Sequence, residues 1–389
     1  MMSILFLSLL GCAGNIHELY ASAKEDALRP AGTPAVDWSP DIRAWIQPSQ
    51  LNAVTTAALD AGLLAWKKPY ELAAPLGLTV SITPSASIEA LRIVPGSRCD
   101  GCLTVTSNIS GKARWRAGSR KGSIPFTARF SGDVEVALED TGDAFRLRAR
   151  LTEIKRVKLN TDLAVLQIAA GSSITDWARE ALRAAPAFTV AELGGDGLPL
   201  RAAALRIQED GIFVDALSDV AGGPVGAVEA HDADWVVRIS EETVAALLRR
   251  AAFEAGTLDY EVAVDPQAID VAGDRFTMKL RLWRLAGRGW WRDYSVEGGL
   301  SVENRKLMLR ADQATAVAKS PGAGLADPIA LLAERRILDA ITDNLEQALP
   351  GTRGTAVQGL KVTAVTRSVE GQGGALVLSG NLRTRSVTE

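Results

Sequence analysis

Residues Phe145-Arg146-Leu147-Arg148-Ala149-Arg150-Leu151 alternate strictly between apolar and basic. Successive side chains of a β-strand point to opposite faces, so this spacing fits a sheet with one buried and one wet face and does not fit a helix. The same two-residue period returns at Phe276, Met278, Leu280 and Leu282, interleaved with Thr277, Lys279 and Arg281. Antiparallel sheets are the ones that commonly keep a face in water, and antiparallel strands are therefore the main element expected.

Helical spacing is confined to a few segments. Ile42 and Ile46 lead to Ser49, a candidate N-cap, before Leu51, Val54, Ala58, Leu59 and Leu63, with Trp66 and Pro69 as the stop. After a meander, a second helix is expected from Ile174 through Trp177, Ala181 and Leu182 to Pro186. Leu205 to Ile207, the turn Asp210-Gly211 and Ile212 to Leu217 then form a hairpin. The order then starts again. Trp235 to Ile239 precede Ser240, another N-cap, and Val244, Leu247, Leu248 and Ala251 share a helix face that stops near Gly256. Strands follow, and a long helix is expected from Asp327-Pro328 through Leu332, Ile337, Ile341, Leu345 and Leu349 to Pro350-Gly351. Leu360 and Val362, a turn at Gly371 to Gly374, and Leu376, Leu378 and Leu382 close the chain. The chain has 389 residues, which suits two domains, and the order helix, meander, helix, hairpin occurs twice.

This order, with the helix entry Val237-Arg238-Ile239-Ser240-Glu241-Glu242-Thr243-Val244, resembles the tandem domains of the bactericidal/permeability-increasing protein (BPI) family and the wider tubular lipid-binding (TULIP) superfamily, in particular its bacterial lipoproteins. The resemblance covers roughly residues 38 to 389 as a pattern of elements. It implies an α+β fold of two tandem domains, each a curved antiparallel sheet wrapped around a long helix with an apolar groove for acyl chains. On that reading residues 38–222 and 235–389 are the two BPI-like domains and residues 223–234 link them.

Large apolar residues flank both opening helices on more than one side. Leu51, Val54, Leu59, Leu63, Leu64 and Trp66 do so in the first, and Val244, Leu247, Leu248 and Phe253 in the second. Two readings fit: they fill the core, or some of them line a groove for hydrocarbon. Two readings also fit the basic stretch Lys112, Arg114, Arg116, Arg120 and Lys121, interleaved with Trp115. It is either the solvated face of a sheet or a patch for the phosphates of anionic lipid or lipopolysaccharide. Arg146, Arg148 and Arg150, with Lys155, Arg156 and Lys158 nearby, extend the question. Trp283, Trp290, Trp291 and Tyr294, with Arg284, Arg288 and Arg292, form either a membrane-facing loop or a hairpin whose aromatics pack across strands.

At the start, the apolar run Ile4 to Leu10 is far shorter than the ~20 residues of a membrane span but matches a signal-peptide hydrophobic region. Leu9-Leu10-Gly11-Cys12 resembles the lipobox of bacterial lipoproteins, which implies a signal peptide over residues 1–11 and a diacylglyceryl group on Cys12. The absence of Lys or Arg before the apolar run departs from that pattern. Ala13 after the cysteine implies, by the same resemblance, the periplasmic face of the outer membrane. Residues 12–37 end in Pro30, Gly32 and Pro34 and read as the lipidated N-terminus and a tether. With Cys12 set aside, Cys99 and Cys102 remain, between strand-like segments. A local disulfide or an idle thiol pair fits that setting better than a redox helix, and zinc would need further ligands.

Catalysis finds little material. The two histidines are His17, in the tether, and His231, beside Glu229, Asp232 and Asp234 in a segment that reads as a solvated linker. No nucleophile elbow, phosphate loop or dinucleotide fingerprint occurs, and Glu139, Asp140 and Asp143 fall at a turn. A non-enzymatic protein with no cofactor and no metal is expected. A net charge of -3 does not call for nucleic acid; the expected partners are a membrane, through the lipid anchor, and phospholipid or lipopolysaccharide.

Overall fold

The computed structural model describes residues 15–50, 52, 70–74, 78–95, 102–142, 144–161, 188–194, 198–229, 232–258, 261–303, 306–320, 354–357 and 360–386. The helices expected over 174–186 and 327–350, the opening-helix residues Leu51, Val54, Leu59, Leu63, Leu64 and Trp66, and Cys12, Cys99, Asp143 and His231 lie outside them.

Antiparallel strands dominate what is described. The elements are α1 (Ile16–Leu28), β1 (Ile42–Ile46), β2 (Tyr70–Ala74), β3 (Leu78–Pro95), β4 (Cys102–Ala117), β5 (Arg120–Asp140), β6 (Ala144–Thr161), β7 (Phe188–Gly194), β8 (Leu200–Gln208), β9 (Gly211–Ser218), β10 (Trp235–Ser240), α2 (Glu241–Ala255), β11 (Val262–Ala272), β12 (Arg275–Arg284), β13 (Trp290–Glu303), β14 (Lys306–Lys319), β15 (Gly354–Val357), β16 (Leu360–Gly371) and β17 (Ala375–Ser386). They form a six-stranded meander β2 to β7, a four-stranded meander β11 to β14, and a seven-stranded sheet in the order β15-β16-β17-β10-β1-β9-β8.

The seven-stranded sheet joins the two halves of the sequence. Opening strand β1 pairs with opening strand β10, from Ile42 opposite Ile239 to Ile46 opposite Trp235. Each is flanked by its own closing hairpin: β9 lies on β1, and β17 on β10. The stretch expected to be a solvated linker is in part packed, since Val225 and Val228 are buried and Val225 N donates to Pro40 O at 2.8 Å. A buried polar knot seals the junction. Asp41 Oδ1 accepts from Ser218 N at 2.9 Å, and Oδ2 accepts from the Ser218 hydroxyl and from Thr243 Oγ1 at 3.1 Å. Ser240 N donates to the backbone carbonyl of Asp41 at 3.0 Å, so strands from both halves and the start of α2 meet at this one residue.

Several local expectations hold. Ser240 caps α2 by accepting from Thr243 N at 3.1 Å, and Gly256 ends it at a φ of 82°. Others shift. The first helical turn already includes Pro48, so Ser49 lies inside it and Gln47 O accepts from Gln50 N at 3.0 Å. Proline suits the first helical position because its missing N–H would have no partner there. The β8–β9 turn is Glu209-Asp210, one residue earlier than read. Gly211 is needed instead as the first residue of β9, where a Cβ would collide with the Trp45 indole whose Nε1 donates to Asp210 O at 3.1 Å.

The segment read as a tether contains α1. Ile16, Tyr20, Ala23 and Ala27 fall on one helical stripe that small alanines make faint in the sequence, and Asn15 caps it by accepting from His17 N at 3.1 Å. Tyr20 reaches the body, with its ring centroid 5.6 Å from that of Phe253 and 6.0 Å from that of Trp283.

Candidate lipid-facing surfaces

The β4–β5 hairpin carries the basic residues singled out from the sequence. On β4, Lys112, Arg114 and Arg116 share a face, opposite Pro125, Ser123 and Lys121 on β5. All three, with Arg120 and Lys121, are exposed. Trp115 points to the other face and is half-buried; it is paired with Gly122, where a Cβ would come within 2.6 Å of the indole Nε1. Glycine there gives the ring a flat seat.

The register extends the patch beyond what the sequence indicated. Arg129 on β5 is exposed, and Lys158 of β6 stands opposite it, with Arg156 opposite Ser131. Residues 78–88 of β3, 106–117 of β4, 120–132 of β5 and 154–161 of β6 contain nine Lys and Arg and no Asp or Glu. Among the described residues none of Lys112, Arg114, Arg116, Arg120, Lys121 and Arg129 forms an ion pair. Arg116 directly opposes Lys121, and like charges facing each other across strands repel at a spacing of ~5 Å. An anion laid on this face relieves that repulsion.

The Arg146–Arg150 segment does not belong to this patch. Arg148 pairs with Glu139 at 3.0 Å, Arg146 stands opposite Glu139 and Glu192, and Arg150 opposite Glu135. The far end of the same sheet is therefore charge-balanced. At its turn Asp140 Oδ1 accepts from Gly142 N at 2.8 Å, a conformational role for that acid.

The apolar face of the six-stranded sheet changes character along its length. Leu103, Val105, Phe130, Val134, Val136 and Leu147 are buried together with Ile212 of the central sheet. Towards the basic hairpin Phe126 and Ala128 are only half-buried, as Trp115 is.

Around α2 the packing is tighter. Val244, Leu247, Leu248 and Phe253 are 2%, 4%, 2% and 1% exposed, and Val244 and Leu248 share a core with Val264, Met278, Leu280 and Leu282 of the adjacent meander. Protein atoms thus cover this face of α2. The aromatic hairpin packs across its strands, with Trp283 opposite Trp291 and Trp290 opposite Arg284. Arg281 lies 4.2 Å from the Trp291 centroid and 5.3 Å from that of Trp283, and grips Asp293 with two hydrogen bonds of 2.6 and 2.9 Å. Trp283 and Tyr294 are buried, whereas Trp290 and Trp291 remain half-exposed. Beside them Asp265 is buried and accepts from Arg249 Nε at 2.6 Å. Desolvation, the largest influence, holds this carboxyl above its ordinary range despite the guanidinium, and burial followed by the Asp265 charge raises Tyr20 as well.

Cys102, at the start of β4, is buried and disulfide-bonded. Asp234 is engaged structurally, its two carboxylate oxygens accepting from Gln50 Nε2 at 2.6 Å and Leu382 N at 2.9 Å. His17 Nε2 lies 3.4 Å from Gly287 O. Among the described residues no group of His, Cys, Asp and Glu is arranged to hold a metal ion, and no helix is long and apolar enough to cross a membrane.

No protein-family model and no curated protein matches the chain. Among solved structures it is similar to lipopolysaccharide binding protein, at 10% identity and a TM-score of 0.36 over 89% of this chain and 99% of that one. It is also similar to P47 of Clostridium botulinum E1, at 10% identity and a TM-score of 0.40 over 89% and 99% of the two chains. P47 from Clostridium botulinum A2 follows at 8% identity and a TM-score of 0.38 over 88% and 97%.

Proposed function

We propose that the protein is a non-enzymatic envelope lipoprotein that binds or shuttles acyl lipids with anionic headgroups, using the first half of the chain. The observation that carries this reading is the pairing of two faces on one sheet. One face carries Lys112, Arg114, Arg116, Lys121 and Arg129 with no acid among the residues of these strand segments, and the other holds Trp115, Phe126 and Ala128 only half-buried across the thickness of the same strands. A phosphate and an acyl chain of one lipid require such neighbouring surfaces. In this proposal each half is a BPI-like unit, with its sheet wrapped around its opening helix. The groove of the first unit takes hydrocarbon.

Anchoring belongs to the same proposal. The Cys12 sulfur forms a C–S bond to the diacylglyceryl carbon as the bond from that carbon to a phospholipid headgroup breaks, and the thiol proton leaves with the headgroup. Hydrolysis of the Gly11–Cys12 peptide bond then makes Cys12 the N-terminus, on the periplasmic face of the outer membrane. Two or more acyl chains make such attachment stable, where a single chain would be marginal.

A second reading has its own support in the second half, where α2 is covered on its apolar face by the neighbouring meander. There the unit acts as a structural adaptor with a filled groove. The test of cargo is direct: the full chain carrying Cys12→Ser, purified without detergent, is extracted with organic solvent and analysed for acyl lipid. It is then delipidated and offered a fluorescent fatty-acyl probe. Co-extracted lipid and saturable uptake are expected; failure of both overturns the cargo reading and leaves the adaptor.

A further inference from the structure

Helix α1 is fixed to one end of the four-stranded meander. Ile16 lies against Gly289, where an added Cβ would come within 2.9 Å of Ile16 Cγ2, and His17 Nε2 is 3.4 Å from Gly287 O. One turn on, Tyr20 sits against Phe253 and Trp283, and Arg249 Nη2 donates to Ala23 O at 3.4 Å. Contacts running from Tyr20 to Phe253 and from Ala23 to Arg249 set α1 antiparallel to α2, with its N-terminus at the turn between β12 and β13.

That turn has the composition of a membrane-water boundary. Residues 284–292 include Arg284, Arg288, Trp290 and Trp291 and no Asp or Glu. Arg288 is exposed, and Arg284, Trp290 and Trp291 are half-buried. Tryptophan rings favour the headgroup level, and each arginine near an anionic surface adds about 1 kcal/mol of attraction. Only Ala13, Gly14 and Asn15 separate Cys12 from Ile16. Four Cα steps extend to at most about 14 Å, so an anchor at Cys12 cannot let this turn drift far from the interface.

We infer that the turn between β12 and β13, together with the first turn of α1, is the surface on which the anchored protein rests against the bilayer. The inference rests on the lipid anchor proposed above. At the other end of β12 the exposed Asp274 stands ten residues away, or about 30 Å along the strand. Held this way, the body has a fixed orientation instead of swinging on a free tether.

The experiment uses the full chain, extracted from the membranes of an expressing bacterium and reconstituted into vesicles of phosphatidylethanolamine and phosphatidylglycerol with brominated acyl chains. A fluorophore is placed on Arg288→Cys or, separately, on Asp274→Cys. Quenching is expected to be at least about twofold stronger at position 288, because an interfacial group sits within ~5 to 10 Å of the acyl boundary. Tyr20→Ala, which removes both ring contacts of α1, should keep the protein on the vesicles but equalise the two positions. Equal quenching in the otherwise unaltered protein, stronger quenching at 274, or a difference that survives Tyr20→Ala would overturn the orientation while leaving the anchor intact. Membrane retention of Cys12→Ser, or recovery of the unsubstituted chain in the soluble fraction, overturns the anchor itself and the orientation with it.

Discussion

Lys121→Glu should move stability and membrane binding in opposite directions. Lys121 is exposed at the tip of the basic hairpin, directly opposite Arg116 and two residues along the strand from Ser123, which faces Arg114. A glutamate there converts a repelling cross-strand pair into an attracting one. Such pairs are worth roughly 0.2 to 1 kcal/mol, and the exposure of both side chains places the gain near ~0.5 kcal/mol. On an anionic membrane the same change removes one favourable charge and adds one unfavourable charge. At about 1 kcal/mol per charge this weakens binding by about 2 kcal/mol, or roughly 30-fold.

The assay is sedimentation with vesicles of phosphatidylglycerol or phosphatidylcholine at low salt, using Cys12→Ser as the background so that the anchor does not mask the surface contribution. Urea unfolding of the same proteins supplies the stability comparison. The loss should appear on phosphatidylglycerol only, and should shrink as salt shortens the Debye length below ~10 Å. Arg146→Glu is the control: it adds a third acid beside Glu139 and Glu192, so it should cost stability and leave vesicle binding unchanged. Binding of Lys121→Glu within about threefold of the background, or an equal loss on both vesicles, refutes the headgroup role. A drop in its stability refutes the repulsion argument.

Asp41→Ala leaves Ser218 N, the Ser218 hydroxyl and Thr243 Oγ1 without their buried acceptor; at roughly 1 to 3 kcal/mol per group, urea unfolding should report a loss of about 3 kcal/mol or more. Desolvation outweighs the hydrogen bonds and raises the Asp41 carboxyl above its ordinary 3.8. The folded state therefore holds more protons than the unfolded state in the interval above 3.8, so the contribution of this group to stability falls as pH rises through that interval. Asp41→Asn should flatten that slope, and an unchanged slope in urea midpoints taken across it would count against the burial argument. Gly211→Val should displace the Trp45 indole and its bond to Asp210 O, read as a red-shifted tryptophan emission and a destabilised sheet centre. A Val variant with unaltered emission would contradict that close approach.

Some of this organisation was legible in the sequence because the signals were local. The strict alternation at 145–151 and 276–282 gave strands, and Ser240 with Gly256 bounded a helix, since capping and pleat follow from neighbours a few residues apart. Ser49 misled because Pro48 already fills the first helical position, a competition that cap preference alone does not rank. Helix α1 was hidden for another reason: half of its stripe is alanine, and its only large ring reaches partners more than 200 residues away, Phe253 and Trp283. The junction at Asp41 was equally invisible, because a lone acid after a proline reads as a turn until Ser218 and Thr243 are brought to it.

The basic patch shows what register adds. Lys112 to Lys121 stood out as a run, and so did Lys155 to Lys158, but only the pairing of β5 with β6 sets Arg129 opposite Lys158 and joins the two runs into one field. The same pairing takes Arg146 and Arg150 out of it by placing acids across from them. Composition averages these opposites to a net charge of -3, which conceals a sheet whose two ends differ in kind. The two halves of the chain diverge in the same way. Both contribute an opening strand and a closing hairpin to one central sheet, but the first meander runs to strands of up to 21 residues and the second to 14. The longest strand of the first runs about 70 Å, whereas the shorter second meander shares its core with α2 and with β10, β16 and β17 of the central sheet. The extra strand length therefore falls in the half that also bears the basic hairpin, which is where the proposed cargo site lies.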